Sequence, residues 1–124
     1  MKRFAKITIA VLAVVLSGSL SAQESGKAEV DIKVSSQCSM CKETIERTLA
    51  FEKGVLSSSL DLETHTVKVV YRPGRTSPDK IRKAISKAGY DADELAADPK
   101  AYKKLPDCCK KPEDREFDHS GHDH

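Results

Sequence analysis

Tryptophan is absent, and the other aromatics are scarce: three Tyr and three Phe, 5% of 124 residues. Such a chain has no stacking platform for single-stranded nucleic acid. An excess of charge of one sign is missing as well, since 21 Lys and Arg stand against 19 Asp and Glu, a formal net charge of +2. A balanced surface offers a polyanion no electrostatic footprint, so no nucleic-acid partner is expected. Long apolar runs are also lacking. The longest, Ile7 to Leu16, is interrupted by Thr8 and falls short of the roughly 20 residues that span a bilayer. No internal repeat is visible.

The short apolar run has another meaning. Lys2, Arg3 and Lys6 precede it, and Ser17-Gly18-Ser19-Leu20-Ser21-Ala22 follows it. Basic, apolar and small-residue regions in that order read as a secretory signal peptide over residues 1–22, cut after Ala22. An uncleaved membrane anchor is the competing reading, and a lipoprotein anchor is disfavoured because that small-residue region holds no cysteine. Losing its three basic residues leaves 18 against 19 acids, a net charge of about −1. The mature chain is then periplasmic or secreted. Its four cysteines meet an oxidising compartment, where they allow three disulfide pairings.

After a polar linker, 23–28, the pattern becomes regular. Val30, Ile32 and Val34 alternate with polar residues, as in a half-buried strand. Cys38-Ser39-Met40-Cys41 follows, and Cys41, Ile45 and Leu49 then fall at helical spacing. A helix is expected from about Ser39 to Glu52, with Gly54 suited to the left-handed position beyond it. Val55 to Leu62 and Thr66 to Arg72 make a hairpin about Glu63-Thr64-His65, where His65 is expected to be a simple turn residue. Ser77-Pro78-Asp79 opens a second helix. Its stripe is Ile81, Ala84, Ile85 and Ala88, and Gly89 ends it. Tyr90 to Leu95 reads as a short fourth strand with the charge of a protected edge.

The order β-α-β-β-α-β is that of the α+β ferredoxin-like sandwich: an antiparallel sheet with two helices on one face. The expected core is Val30, Ile32, Val34, Ile45, Leu49, Leu60, Leu62, Val67, Val69, Ile81 and Ile85. The domain is expected over 29–96, complete at Ala96, so that truncation there leaves a folded unit. Residues 97–109 form a helical extension ending in Cys108-Cys109. Residues 110–124 are expected to be a disordered tail carrying His119, His122 and His124, side chains that would gather metal ions only weakly.

The chemistry lies at the strand-to-helix turn. Free N–H groups of a first helical turn favour negative charge and lower a thiol's pKa. A disulfide between residues three apart closes too small a loop to add much stability, so metal binding is preferred over a structural bridge for Cys38 and Cys41. Both sulfurs are expected on a surface turn outside the core. Two thiolates suit Cu(I) or Hg(II), and Zn(II) less well, because structural zinc takes four ligands at closer spacings. Cys108 and Cys109 form a secondary candidate pair: a second soft-metal site, a resolving pair or a staple. Reaching the first pair would require a strained return across about a strand length, 17–20 Å.

These residues resemble the heavy-metal-associated domain. That family includes copper(I) chaperones, amino-terminal modules of metal-pumping ATPases, and small periplasmic mercury-binding proteins. Cys38-Ser39-Met40-Cys41, Gly54-Val55 and Ala88-Gly89-Tyr90-Asp91 carry the resemblance. Ser35, Ser36 and Gln37 depart from the family's Gly-Met-Thr/Ser, and Ser36 cannot replace its buried Met prop. By position Tyr90 resembles the aromatic that covers the metal in bacterial members; packing against the second helix is its alternative role. The resemblance implies a monomeric, non-enzymatic metallochaperone or scavenger. It would exchange a soft ion with a metal-transporting membrane protein or another cysteine-containing carrier. Cys38 would engage metal first, Cys41 would complete two-coordination, and Lys42 would offset the charge. A thiol–disulfide oxidoreductase is the alternative, although no thioredoxin-like βαβ unit precedes the motif and no aromatic precedes Cys38. A disulfide-stabilised structural domain is the third reading.

Overall fold

The computed structural model describes residues 26–115. The signal peptide, residues 23–25 of the linker and the terminal histidines lie outside the described residues. Strand β1 is Ala28–Lys33, followed by helix α1, Ser39–Ala50. Strands β2, Val55–Asp61, and β3, Thr66–Tyr71, form the hairpin, and helix α2 is Pro78–Lys87. The antiparallel sheet has the order β1-β3-β2. In register, Ile32 faces Val67 and Val30 faces Val69 across β1 and β3, while Leu60 faces Val67 across β2 and β3. An irregularity between Val55 and Ser57 turns Leu56 outward.

Period-2 and period-3.6 patterns meet as they should. Ile32, Val67, Val69 and Leu60 on the sheet are buried against Cys41, Ile45 and Leu49 of α1 and Ile81 and Ile85 of α2. Ser77 caps α2 by accepting the Lys80 N–H at 3.3 Å, with Pro78 at the first helical position,. This is the ferredoxin-like sandwich. Val30 and Leu62, expected in the core, are only partly buried at its margin, while Tyr71, Tyr90, Ala92 and Cys109 join it.

The expected fourth strand is much reduced. Only isolated bridges, Val34 to Ala92 and Ala92 to Leu95, remain of it. Two aspartates account for the change. Asp93 adopts a left-handed φ of 53° and accepts the Lys33 N–H at 2.8 Å. Asp91 accepts the Ala97 N–H at 2.8 Å. Side chains that take backbone donors locally compete with a ladder, and a tight turn closes instead, with Ala92 N–H donating to Leu95 O at 2.9 Å. Leu95, expected as the last apolar position of that strand, is exposed.

Nor does the ordered domain stop at Ala96. Helix α3, Pro99–Lys103, is capped by Asp98, whose side chain accepts the Ala101 N–H at 3.2 Å. Short 3₁₀ turns follow at Asp107–Cys109 and Pro112–Asp114. Residues 110–115, assigned by sequence to a disordered tail, are therefore structured. Lys111 pairs with Asp91 at 2.8 Å, and its backbone N–H donates to the Tyr102 hydroxyl at 2.9 Å. That hydroxyl in turn donates to Asp114 at 2.6 Å.

Candidate metal centre

The loop from β1 to α1 is fixed at three points. Val34 N–H donates to His65 O at 2.8 Å. Asp91 N–H donates to Ser35 Oγ at 2.9 Å. Ser36 Oγ lies 3.3 Å from His65 Nδ1. Ser36 is fully buried, so the position that carries a Met prop in the resembled family is filled here by a hydrogen-bonded serine. His65 is thus more than a turn residue: its left-handed φ of 54° brings carbonyl and ring together onto the loop.

Cys38 is the N-cap of α1, in extended backbone, and among the described residues no side-chain cap hydrogen bond closes this end of the helix. Its sulfur is 3.5 Å from that of Cys41, on the first turn. Cys41 itself is fully buried and belongs to the core, which corrects the expectation that both sulfurs lie outside it. The helical period explains this, because Cys41 heads the stripe continued by Ile45 and Leu49. Lys42 also departs from expectation. Its partners are Leu60 O, to which it donates at 2.7 Å, and Glu46, with which it pairs at 3.4 Å.

The second pair arrives at the same place. Cys38 Sγ lies 3.4 Å from Cys108 Sγ and 3.8 Å from Cys109 Sγ, and the two neighbours are 4.0 Å apart. Sulfurs of Cys38, Cys108 and Cys109 all fall within 4.8 Å of one another. These are non-bonded contacts, well beyond the about 2.05 Å of a disulfide. Cys108 is exposed and Cys109 buried, and the half-exposed Met40 brings its thioether within 4.0 Å of Cys108. The return to Cys38, expected to be strained, is made through α3 and the 3₁₀ turn at Asp107–Cys109.

Burial works against ionising Cys38, but the Cys41 N–H and the sulfur contacts with Cys108, Cys41 and Cys109 favour its thiolate and bring its pKa down to about 7. Those contacts do the work expected of Lys42. The Cys108 thiol is pushed up chiefly by its contact with the Cys38 sulfur. Burial first, and Cys41 second, push Cys109 well up. One sulfur is thus primed as a thiolate while Cys108 and Cys109 hold their protons. Tyr90 is wholly buried, its hydroxyl lacking a well-formed hydrogen bond among the described residues. Desolvation raises its pKa strongly, and the Cys109 and Cys41 sulfurs are its neighbours. The cue in sequence for the returning extension was slight: Tyr102 and Leu105, two apolar side chains three apart in a polar stretch.

Fold and thiol cluster together define a small α+β domain that presents cysteines at the start of its first helix. The heavy-metal-associated domain matches residues 28–91, and the chain belongs to that family. The copper chaperone CopZ of Staphylococcus haemolyticus is 37% identical over 54 residues, 44% of this chain and 79% of that protein. A copper-exporting P-type ATPase of Staphylococcus saprophyticus is 37% identical over 65 residues, 52% of this chain but 8% of the ATPase. The chain therefore spans only a small part of that transporter. Among solved structures, oxidized MerP from Ralstonia metallidurans CH34 is similar with a TM-score of 0.52 at 28% identity, covering 54% of this chain and 94% of that one. The CopZ metallochaperone gives 0.50 at 29%, covering 52% and 98%.

Proposed function

We propose that the protein is an exported carrier or scavenger of a soft metal ion, Cu(I) or Hg(II), which it takes up and passes on by thiolate exchange through Cys38 and Cys41. The observation that carries this is the pair of sulfurs 3.5 Å apart at the N-terminus of α1 in a heavy-metal-associated domain. Thiolates select soft ions, and the relatives named copper chaperone and copper-exporting ATPase support copper as cargo; the likeness to MerP and the softness of thiolates support Hg(II) as the other candidate. Binding and transfer, rather than catalysis, is the role. The receiver or donor is a cysteine-bearing metal transporter or carrier, and export rests on the reading of residues 1–22 as a signal peptide.

Cys38, exposed in part and readily ionised, meets the incoming ion; Cys41 completes two-coordination from the helix. Anaerobic titration of the reduced protein with Cu(I), Hg(II) and Zn(II), with metal quantification, tests the reading. Tight one-to-one uptake of a soft ion is expected, and the Cys38→Ser/Cys41→Ser variant loses it. Retention of stoichiometric tight binding by that variant contradicts the assignment. N-terminal sequencing of protein recovered from the cell envelope tests cleavage after Ala22.

A further inference from the structure

The extension beyond the family-matched residues 28–91 ends at the sulfur cluster, and two-coordination by Cys38 and Cys41 leaves it without a task. Cys38, Cys108 and Cys109 form a triangle of sulfurs with edges of 3.4, 3.8 and 4.0 Å. With a metal–thiolate bond of about 2.3 Å, a trigonal ion separates its sulfurs by about 4.0 Å and a linear ion by about 4.6 Å. Two edges of the triangle therefore lie within about 0.2 Å of trigonal geometry, and the Cys38–Cys108 edge must open by about 0.6 Å,. The Cys38–Cys41 pair, at 3.5 Å, must open by about 1 Å to hold a linear ion.

The position of the extension is built, not accidental. Gly89, with φ +104°, lies so close to α3 that a Cβ there would stand 3.1 Å from the Ala101 carbonyl and 3.2 Å from Leu105 Cδ2. Asp98 N–H donates to Ser86 O at 2.9 Å, and Ser86 Oγ donates to Ala96 O at 2.8 Å. Beyond the cysteines, Lys111 returns to Asp91 at 2.8 Å. The Cys108–Cys109 turn is thus anchored on both sides, and Cys109 is packed in the core.

We propose that Cys108 and Cys109 belong to the same metal site as Cys38 and Cys41, and that the chain by itself holds one soft ion three-coordinate in the triangle Cys38–Cys108–Cys109. The inference rests on the reading of Cys38 and Cys41 as the port of entry. When the ion moves from the two-coordinate state, its bond to Cys41 breaks and bonds to Cys108 and Cys109 form. Cys41 regains a proton and the other two thiols each release one, so a net of one proton passes to solvent, with no change of oxidation state. The extension then stands where a receiving protein's cysteines would attack. Cargo is retained until those cysteines displace it.

The test is X-ray absorption spectroscopy of the reduced protein with one equivalent of Hg(II), together with affinity by thiol competition. Wild type is expected to show three sulfur neighbours per mercury. Cys108→Ser/Cys109→Ala is expected to show two and to bind at least tenfold more weakly. Gly89→Val keeps all four thiols but pushes α3 away, and the same two changes are expected of it. The wild-type count decides on its own if either variant fails to fold. Two or four sulfur neighbours in wild type overturn the three-coordinate site, as does undiminished affinity in a folded double variant; tight uptake in those cases leaves the Cys38–Cys41 reading standing. Failure of wild type to take up Hg(II) stoichiometrically overturns that reading as well.

Discussion

The Cys38 sulfur lies 3.4 Å from that of Cys108, 70 positions further along the chain. Contact over such a separation has to be supported by everything between. Here that support is the reverse of a floppy tail: α3 against Gly89, Leu105 against the core, and Cys109 inside it. Truncation after Ala96 is therefore expected to destabilise the domain, not leave it intact. Losing the buried Cys109 and the packing of Leu105 amounts to about 2–4 kcal/mol by analogy with large-to-small core changes. Thermal melting of the chain ending at Ala96 against the full chain measures this, and coincident melting curves would contradict it.

The two cysteines of the motif differ in burial, so their serine variants should differ in stability. Cys38→Ser removes a partly exposed thiol and should leave the melting temperature nearly unchanged while weakening metal binding. Cys41→Ser introduces a hydroxyl into a fully buried place, and a buried polar group lacking a partner costs about 1–3 kcal/mol. Urea titration of both variants separates them; equal midpoints would show that Cys41 is not the core residue described.

How much of this was legible in the sequence depends on the range of the interaction. The switch from period 2 at Val30, Ile32 and Val34 to helical spacing at Cys41, Ile45 and Leu49 is local, and it placed the thiols on a strand-to-helix turn. Ser77-Pro78 and the stripe through Ile81 and Ile85 were equally plain. The fourth strand is not legible because Asp91 and Asp93 have the pattern of edge charge, whereas their carboxylates take backbone N–H groups from Ala97 and Lys33. Lys42 looked like a counter-charge, yet Leu60 O offers it a better partner. The meeting of Cys108 with Cys38 depends on the length of α3 and on the close approach at Gly89, and no short-range pattern encodes either.

Ser36 shows how a departure from the family can be compensated. It is fully buried beside His65. Restoring the family residue with Ser36→Met should destabilise the fold by about 1–3 kcal/mol, the usual cost of overpacking. Ser36→Ala should cost about 0.5–1.5 kcal/mol, the net worth of one hydrogen bond. Chemical denaturation gives both values, and a Met variant more stable than wild type would show that the loop has room for the prop.

Acid should loosen the extension before it unfolds the domain. Asp91 works against its own desolvation, but its bonds to Lys111 and to the Ala97 N–H hold its carboxyl below the usual range. A carboxyl with a depressed folded pKa contributes stability that is fully present above its unfolded value of about 3.9 and is lost as pH falls through the folded one. Protection of residues 97–111 against hydrogen exchange, relative to the intrinsic rate at each pH, is expected to fall below about pH 4, ahead of protection in β1 and β3. Asp91→Asn should show the lower protection already at neutral pH. Protection that is independent of pH, and unchanged in the variant, would show that the Lys111 bridge does not hold the extension.

Oxidation should act through Cys38. Its pKa of about 7 makes it the thiolate that attacks first, since the thiolate is the nucleophile in exchange. With oxidised glutathione, Cys38 forms a mixed disulfide and releases one glutathione thiolate. A neighbouring cysteine then displaces the second, which leaves a protein disulfide and two reduced glutathiones. Cys108 at 3.4 Å, Cys41 at 3.5 Å and Cys109 at 3.8 Å all stand within reach. A direct bridge between the adjacent Cys108 and Cys109 is disfavoured by geometry. Peptide mapping after mild oxidation is therefore expected to find Cys38 in the bridged species, joined to more than one partner. Metal uptake should fall in proportion to bridging, because bridged sulfurs are no longer ligands. Cys38→Ser should slow the oxidation of the remaining thiols severalfold. A Cys108–Cys109 bridge as the main product, or full metal uptake by bridged protein, would place the reactive sulfur elsewhere.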